Sequence, residues 1–243
     1  MRRIERIAVT RDGHRYFIKD KKSDYHTQYG IIKAEDMNRN SCKTNTGKDV
    51  FLFAPAFKDF YDRIKRGPQM VPLKDVGLVI AETGMGRDSI VVDSGSGSGG
   101  TALMFGRVAK KVYSFEMRED FLKIAEENRR FAGLSNVKFA LHDITEGIPV
   151  KSVDIVFLDM PSPWLVVKHA EKALKRGGFL VSYSPTVPQV MDFVEEVKSS
   201  EKFIILKTVE VAERDWEIEG RKVRPRSQRI GHSGFMTFCR RVC

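Results

Sequence analysis

From about residue 73 onward, short apolar runs alternate with segments of helical periodicity, and this alternation constrains the fold more than any other feature. Strands that are apolar along their whole length are typical of parallel sheets, because helices cover both faces. The runs predicted as strands are residues 89–93, 111–116, 137–141, 154–158 and 179–183, with further runs near 203–211 and 234–239. Helices are predicted from the intervening glycine cluster to Ala109, over 118–131 and over 187–199. We therefore expect an α/β fold built on a mostly parallel sheet.

The first fifty residues have a different rhythm, in which short apolar or β-branched runs alternate with turn signals. The runs at 7–10, 15–18 and 50–53 predict strands, and Asp12-Gly13 and Asn45-Thr46-Gly47 predict turns. After Pro55, apolar side chains recur at the spacing of one helical face until Gly67-Pro68. We predict a small β domain with a linking helix over residues 1–66, and a larger α/β domain over residues 67–243.

The formal charge of +10 and the isoelectric point near 9.5 indicate a polyanionic partner, with nucleic acid the first to consider. The cations near the end of the chain are Arg214, Arg221, Lys222, Arg224, Arg226, Arg229, Arg240 and Arg241. No apolar run is long enough for a membrane span and the N-terminus resembles no secretion signal, so we expect a cytoplasmic protein. Cys42, Cys239 and Cys243 are too scattered for a zinc site, so we expect free thiols, with an inter-subunit bridge left open.

The sharpest local pattern is a strand that ends at Asp93 and passes through a glycine loop, residues 94–100, into a helix. Glycine is needed where the backbone turns tightly and a cofactor approaches without a side chain between. Gly95, Gly97 and Gly100 fit the dinucleotide spacing. Gly95, Gly97 and Gly99 behind Asp93 fit the tighter loop of methyltransferases that use S-adenosylmethionine (AdoMet). The glycines alone leave both cofactors open.

Acidic side chains follow the next two predicted strands. Glu116 ends the first of them, where a carboxylate can accept hydrogen bonds from both ribose hydroxyls of a nucleoside. Asp143 follows the second, where its carboxylate could accept a hydrogen bond from an adenine amino group. Because the carboxyl ends of parallel strands meet at one edge of a sheet, these positions predict a nucleoside bound across that edge.

A rigid loop follows the next predicted strand, with the sequence Asp159-Met160-Pro161-Ser162-Pro163-Trp164. Its two prolines fix the backbone, so it would hold a carboxylate next to a flat aromatic surface. We predict that this loop binds the acceptor base, with Asp159 as the catalytic group.

Together these motifs resemble those of the tRNA (adenine-N1)-methyltransferases that modify the T-loop, and the resemblance runs over nearly the whole chain. The other segments that carry it are His26-Thr27-Gln28-Tyr29-Gly30-Ile31-Ile32, Gln69-Met70-Val71-Pro72-Leu73-Lys74-Asp75, Tyr183-Ser184-Pro185-Thr186 with Gln189, Arg224-Pro225, and Gly231-His232-Ser233-Gly234-Phe235. Asp93 stands where this family more often has glutamate, and Ser233 stands where threonine is common.

The resemblance implies a class I AdoMet-dependent methyltransferase with a Rossmann-like, seven-stranded sheet, a homotetramer, a tRNA substrate and no metal. Implied cofactor contacts are Asp93, Gly95, Ser96, Gly97, Ser98, Gly99, Glu116 and Asp143. Implied substrate contacts are Gln69, Pro161, Trp164, Tyr183, Gln189, Arg224, Arg226 and His232, with Asp159 catalytic. We expect the basic C-terminal segment to contact phosphates, and His232 to stabilise a turn rather than transfer a proton.

Several alternatives stay open on the sequence alone. A methyltransferase acting on a protein carboxylate or a small molecule would have the same cofactor loop but no affinity for tRNA. A non-catalytic RNA-binding subunit would keep the fold, although the intact glycine loop, Glu116 and Asp159 argue against it. An NAD-dependent oxidoreductase would need a substrate domain with a histidine or lysine acid after the cofactor domain, and none follows. Whether position 57, 58 or both would be methylated is also open.

Overall fold

The computed structural model describes residues 3–227 and 231–243, and the chain divides into two compact units. The first unit runs to Lys65 and includes Arg130–Gly133, and the second comprises Arg66–Arg129 and Leu134–Cys243. The predicted domain boundary between residues 66 and 67 stays a prediction. Within the described ranges, no helix has the length and apolar character needed to cross a membrane.

The first unit is a small β structure, as predicted. Its strands are β1 (Arg6–Thr10), β2 (Arg15–Ile18), β3 (Tyr25–Thr27), β4 (Gly30–Ile32), β5 (Ser41–Lys43) and β6 (Asp49–Phe53). β2, β1, β6 and β5 form an antiparallel sheet in that order, while β3 and β4 pair as a separate hairpin. Val50 and Leu52 alternate with exposed neighbours along β6 and are buried against Ala8 and Ile18, which gives one packed face.

The predicted linking helix is shorter than its apolar pattern suggested. α1 spans only Phe57–Tyr61, and the Ala56 N–H donates to the Asp59 carboxylate (2.8 Å) at its start. After α1 the chain tightens, because the Arg63 N–H bonds to the Phe60 carbonyl three residues earlier (3.0 Å). Phe60, Tyr61 and Ile64 are nevertheless buried. The periodicity predicted the buried face correctly and the length of the helix wrongly.

The second unit contains the predicted seven-stranded, mostly parallel sheet. Its strands are β7 (Ile90–Ser94), β8 (Lys111–Glu116), β9 (Val137–Leu141), β10 (Val153–Leu158), β11 (Leu174–Ser184), β12 (Phe203–Glu210) and, after the hairpin of β13 (Trp216–Glu219) and β14 (Lys222–Pro225), β15 (Phe235–Arg241). The sheet order is β12-β15-β11-β10-β7-β8-β9. β15 runs antiparallel to both of its neighbours, and the pairs among β7 to β11 are parallel.

The larger helices are α2 (Leu73–Thr83), α3 (Gly100–Gly106), α4 (Glu119–Ala132), α5 (Val167–Ala173) and α6 (Val187–Ser200). α2 was not predicted, and α3 ends three residues before the predicted Ala109. A Cβ atom on Gly106 would lie 2.4 Å from the side chain of Val137, so the helix ends where it meets β9.

Alternate residues of the central strands pack into separate cores on the two faces of the sheet. Val91 and Phe157 belong to one core with residues of α2 and α3. Val92 and Leu158 belong to the other core with residues of α5 and α6. Because both faces are covered, the carboxyl edge of the strands is left for binding a ligand.

We predict that Phe157→Ala lowers the free energy of unfolding by about 3–5 kcal/mol, because it leaves a void in the core. Phe157 is fully buried and packs edge to face on Phe105 with ring centroids 5.5 Å apart. The measurement is urea unfolding followed by circular dichroism. Met191→Ala is the control, because Met191 is 64% exposed and its loss should change stability by at most about 0.5 kcal/mol. Equal effects of both substitutions would contradict this account of the core.

Candidate active site

The glycine loop between β7 and α3 is held by the strands on either side of β7. The Gly95 N–H donates to the Asp159 carbonyl (2.9 Å), and the Ser96 N–H donates to the Phe115 carbonyl (3.1 Å). Gly97 has a φ angle of 53°, and a Cβ atom there would lie 2.9 Å from Cγ of Pro68. Only glycine satisfies both the backbone conformation and the space at this position.

Glu116 ends β8 with its carboxylate turned toward the glycine loop. Its Oε2 accepts a hydrogen bond from the Gly97 N–H (2.8 Å), and its Oε1 accepts from the N–H groups of Met117 and Arg118 (3.0 Å each). These backbone donors fix the orientation of the carboxylate. Since a carboxylate oxygen has two lone pairs, Oε2 can still accept a hydrogen bond from a ligand hydroxyl.

A cavity of about 480 Å³, here called the larger cavity, lies along the carboxyl edge of the sheet. It is lined by Pro68, Gln69, Ser94, Gly95, Gly97, Phe115, Glu116, Met117, Arg118, Phe121, Ile144, Asp159, Met160 and Pro161. Apolar side chains with a few fixed polar groups are typical of a nucleoside site. AdoMet fits these residues, because the glycine backbone leaves room that a Cβ atom would fill and the Glu116 carboxylate can accept from ribose hydroxyls.

Asp93 does not line the larger cavity, although the sequence predicted a cofactor contact for it. Asp93 is 1% exposed, and its Oδ2 accepts a hydrogen bond from the Ser114 hydroxyl. Its Oδ1 is buried and has no hydrogen-bond partner in the described part of the chain. Burial raises the pKa of Asp93 to about 7, although the hydrogen bond from Ser114 acts to lower it. The negative charges of Asp159 and Glu116 add to the increase.

A smaller cavity of about 150 Å³, here called the acceptor cavity, adjoins the first. Its lining residues are Gln69, Met70, Val71, Asp159, Tyr183, Pro185 and Ser233. Gln69 and Asp159 line both cavities, so they form a common wall. A donor in one cavity and an acceptor in the other would meet beside these two side chains.

Asp159 directly follows β10, and its main chain is bonded to the end of β7. Its N–H donates to the Ser94 carbonyl, and its carbonyl accepts from the Gly95 N–H. Burial raises the pKa of the Asp159 carboxyl to about 7. The group can therefore change its protonation state near neutral pH, which suits a role in stabilising charge or sharing a proton.

A polar cluster lies at the acceptor cavity, and of its members the sequence predicted only Tyr183 as a substrate contact. Asp75 is fully buried in the first turn of α2 and pairs with the Lys74 ammonium (2.7 Å). The Ser233 hydroxyl donates to Asp75 Oδ2 (2.9 Å), and the Tyr183 hydroxyl lies 3.4 Å from the same oxygen. Burial raises the pKa of Tyr183, so its hydroxyl keeps its proton. A Cβ atom on Gly234 would lie 2.5 Å from the Tyr183 ring, so glycine permits this packing.

Besides Asp93, four other predicted cofactor contacts do not line the larger cavity. The Ser96 hydroxyl bonds to the Ser114 hydroxyl (2.6 Å), and the Ser98 hydroxyl accepts from the Gly67 N–H (2.7 Å). Gly99 serves the packing of the loop, because a Cβ atom there would lie 2.8 Å from the Phe139 ring. Asp143 instead caps a 3-10 turn by accepting from the Thr145 N–H (2.8 Å) and hydroxyl, which lower its pKa.

Two of the predicted acceptor-base contacts are also absent from the cavity walls. Trp164 is half-buried in the 3-10 turn Pro163–Val166 and lines neither cavity. Gln189 ties the loop to α6 instead, because its side-chain amide donates to the Pro161 carbonyl (2.9 Å). Pro161 lines the larger cavity rather than the acceptor cavity.

His232 lines neither cavity and lies between two hydrogen-bond partners. Its Nδ1 lies 2.6 Å from the Glu210 carboxylate and its Nε2 lies 2.8 Å from the Pro185 carbonyl. The Glu210 hydrogen bond raises the pKa of His232, and the Pro185 carbonyl adds to this effect. His232 thus links Pro185, which lines the acceptor cavity, to β12, and its contact with the substrate stays a prediction.

Part of the basic C-terminal segment forms the β13–β14 hairpin. Glu217 on β13 accepts from Lys222 (3.0 Å) and from the Arg224 guanidinium (2.9 Å) on β14. Arg226 is exposed just beyond the hairpin, and Arg229 lies outside the described residues. Part of the positive charge is therefore already neutralised by a neighbour across the hairpin.

In the ranges that the structure describes, no three His, Cys, Asp or Glu side chains form a group that could hold a metal ion. Cys42, Cys239 and Cys243 are free thiols. Burial raises the pKa of Cys239 to about 12, which keeps this thiol protonated and unreactive.

Comparison with known proteins identifies the family. A family model described as tRNA methyltransferase complex GCD14 subunit matches residues 50–230, more than half of the chain. The chain belongs to this GCD14 family. It is 33% identical over 266 residues to tRNA (adenine(57)-N(1)/adenine(58)-N(1))-methyltransferase TrmI of Methanocaldococcus jannaschii, covering 97% of this chain and 94% of that protein. It is 30% identical over 245 residues to tRNA (adenine(58)-N(1))-methyltransferase TrmI of Thermus thermophilus, covering 97% and 96%.

Solved structures of methyltransferases share the fold of this chain. A SAM-dependent O-methyltransferase from Thermotoga maritima superposes with a TM-score of 0.86 at 28% identity, covering 100% of this chain and 94% of that one. The tRNA (m1A58) methyltransferase TrmI from Aquifex aeolicus has a TM-score of 0.81 at 22% identity, with 98% and 97% covered, and this match shows the fold alone. The predicted AdoMet-dependent methyltransferase is confirmed, and the NAD-dependent alternative has no support.

We predict that Gly97→Ala weakens AdoMet binding at least tenfold, because the added methyl group meets Pro68 in a backbone conformation that alanine rarely adopts. Isothermal titration with AdoMet measures the loss. Gly77→Ala in α2 is the control, because a Cβ atom there meets nothing within 4 Å. Wild-type affinity in the Gly97→Ala variant would mean that the loop does not shape the cofactor site.

Proposed function

We propose that this chain transfers the methyl group of AdoMet to N1 of an adenosine in the T-loop of tRNA, at position 58. The pair of adjoining cavities that share Asp159 and Gln69 carries the proposal. Methyl transfer needs the methyl group and the attacking nitrogen in contact and in line, and a common wall supports that arrangement. The names of the Methanocaldococcus and Thermus relatives support adenine N1 as the acceptor.

The arrangement of the two cavities supports separate roles for the residues around them. When bound, AdoMet supplies an electrophilic methyl group next to a sulfonium charge. Glu116 would hold the ribose of AdoMet through its free lone pair, and the apolar side chains of Phe115 and Ile144 would contact the adenine ring of AdoMet. Gln69, Tyr183 and Asp159 orient the acceptor base in the acceptor cavity. Pro161 holds the loop that carries Asp159 in place through its bond to Gln189.

Asp159 stabilises the charge that appears on the acceptor base. Adenine N1 becomes positively charged as it is methylated, and a carboxylate beside N1 and the exocyclic amine lowers the energy of that cation. Burial raises the pKa of the Asp159 carboxyl to about 7, so the group can ionise near neutral pH. A cation bound beside it would favour the ionised form.

The acceptor cavity of about 150 Å³ has room for a single base rather than a paired segment of RNA. N1 of adenine lies on the base-pairing edge, so the adenosine must leave its pairing in the RNA fold to reach Asp159. Exposed cations such as Arg226, together with those of the β13–β14 hairpin, hold the phosphates outside the cavity. A homotetramer, implied by the family resemblance, and a cytoplasmic location, expected from the sequence, form part of this proposal.

The substrate is tested by incubating unmodified tRNA transcripts with the protein and AdoMet and analysing the nucleosides by mass spectrometry. We expect 1-methyladenosine from a transcript with adenosine at position 58 and none from one with guanosine there. Product from the second transcript would move the site to position 57. Because the Thermotoga protein is named an O-methyltransferase, methylation of an oxygen acceptor is the second candidate. A 2′-O-methylated nucleoside without 1-methyladenosine would favour that activity and overturn the proposal.

We predict that Asp159→Asn raises the activation free energy of methyl transfer by about 2–4 kcal/mol, while the affinities for AdoMet and tRNA change little. The amide keeps the shape of the side chain but removes its charge. Single-turnover rates with saturating tRNA isolate the chemical step. A wild-type rate would leave Asp159 with a purely structural role in the loop.

The rate should also depend on pH through Asp159. The raised pKa means that the carboxyl keeps its proton below about pH 7 and loses it above, so kcat/KM for AdoMet should rise with pH and level off above neutrality. The Asp159→Asn variant should have a flat profile over the same range. If the pH dependence persists in that variant, the titrating group is Asp93, whose pKa is also raised to about 7.

We predict that Glu217→Gln strengthens tRNA binding, because it frees Lys222 and Arg224 from their shared carboxylate. The dependence of log K on log salt should steepen by roughly one for each cation that gains a phosphate. Filter binding over a range of salt concentrations measures both effects. Glu213→Gln makes the same charge change outside the hairpin and serves as the control. Identical salt slopes in the two variants would show that the hairpin faces away from RNA.

A further inference from the structure

A buried ion pair lies behind the wall of the acceptor cavity and has no part in the mechanism described so far. Lys74 and Asp75 occupy the first turn of α2, with Nζ 2.7 Å from Asp75 Oδ1. Asp75 is fully buried, and the Lys74 side chain is only 11% exposed. Because desolvation offsets most of the attraction in such a pair, its stabilising effect alone does not explain its presence.

The ion pair fixes the direction of two hydroxyl groups. Ser233 Oγ lies 2.6 Å from Lys74 Nζ and 2.9 Å from Asp75 Oδ2. An ammonium group can only donate and an ionised carboxylate can only accept, so Ser233 accepts from Lys74 and donates its single proton to Asp75. The Tyr183 hydroxyl lies 3.4 Å from the same Asp75 oxygen, which draws its proton in the same direction.

Both hydroxyl groups belong to residues that line the acceptor cavity. With their protons turned toward Asp75, they offer only oxygen lone pairs to a bound base. Asp159, on the same wall, adds a carboxylate that accepts hydrogen bonds when ionised. The polar groups of these three side chains therefore match a base that presents hydrogen-bond donors.

We infer that the Lys74–Asp75 ion pair makes the acceptor cavity selective for a purine with a 6-amino group, by turning the hydroxyl protons of Ser233 and Tyr183 away from the base. This inference rests on the proposed function, because adenine presents N1 and the donating 6-amino group on one edge. Asp75 does not touch the base and is a positioning residue. A cavity built to accept hydrogen bonds from the amine leaves buried groups unpaired when the amine is missing.

The test compares two tRNA substrates, one with adenosine and one with purine riboside at position 58. Purine riboside keeps N1 and lacks the 6-amino group. The ratio of single-turnover rates on the two substrates is measured for the wild type and for Asp75→Asn. Any difference in the intrinsic reactivity of N1 is the same for both proteins and cancels in this cycle. We expect the preference for adenosine to fall about tenfold in the variant, as for the loss of one hydrogen bond.

A second variant and a control keep the test independent of folding. Ser233→Ala leaves the ion pair in place and removes one acceptor, so the preference for adenosine should fall here too. Glu82→Gln breaks another ion pair of α2, with Lys207 (2.6 Å), away from both cavities, and should leave the preference unchanged. AdoMet affinity should stay at the wild-type value in all three variants, because none of these residues lines the larger cavity.

An unchanged preference for adenosine in both Asp75→Asn and Ser233→Ala overturns the inference, even if both variants are slow. If Asp75→Asn does not fold, Ser233→Ala and Tyr183→Phe decide the matter, and each must lower the preference. Failure of the proposed function is distinguishable, because the wild type would then form no 1-methyladenosine on the adenosine substrate.

Discussion

Two backbone hydrogen bonds between Asp159 and the end of β7 hold the whole site together. The Asp159 N–H donates to Ser94 and the Gly95 N–H donates to Asp159, so the ladder between β7 and β10 continues past both strands. The glycine loop and the acidic side chain cannot shift relative to one another without breaking this ladder. Donor and acceptor geometry is thereby set by main-chain bonds, which are stiffer than contacts between side chains.

The protein has a positive net charge, but acidic side chains lie at its site. The chain carries a net charge of +10, yet Glu116 and Asp159 line the larger cavity, and their negative charges raise the pKa of the buried Asp93. Burial favours the neutral forms of Asp93 and Asp159, and a cationic ligand nearby would favour their ionised forms. The surface charge suits an RNA backbone, while the acidic interior suits a sulfonium ion and a base that becomes positive.

The sequence predicted which strand ends carry the chemistry, because apolar runs locate the strands and the residue after each run is then known. Glu116 and Asp159 lie where that logic placed them. The sequence could not predict the direction of individual side chains in strands and loops. Asp93 and Trp164 accordingly line neither cavity, although both were predicted at the site. The bond between Asp75 and Ser233 joins residues 158 positions apart, and a contact over that separation leaves no local pattern.

The placement of β15 has a consequence for how the site is assembled. β15 follows the other strands of the sheet in the chain, yet it lies between β11 and β12 rather than at an edge. Because β12 pairs with β15 in this sheet, it can join the sheet only when residues 235–241 are available. Gly234 and Ser233, just before β15, complete the wall against Tyr183. A partly folded chain could thus contain the cofactor loop and still have no acceptor cavity, so methyl transfer would wait for the last strand to enter the sheet.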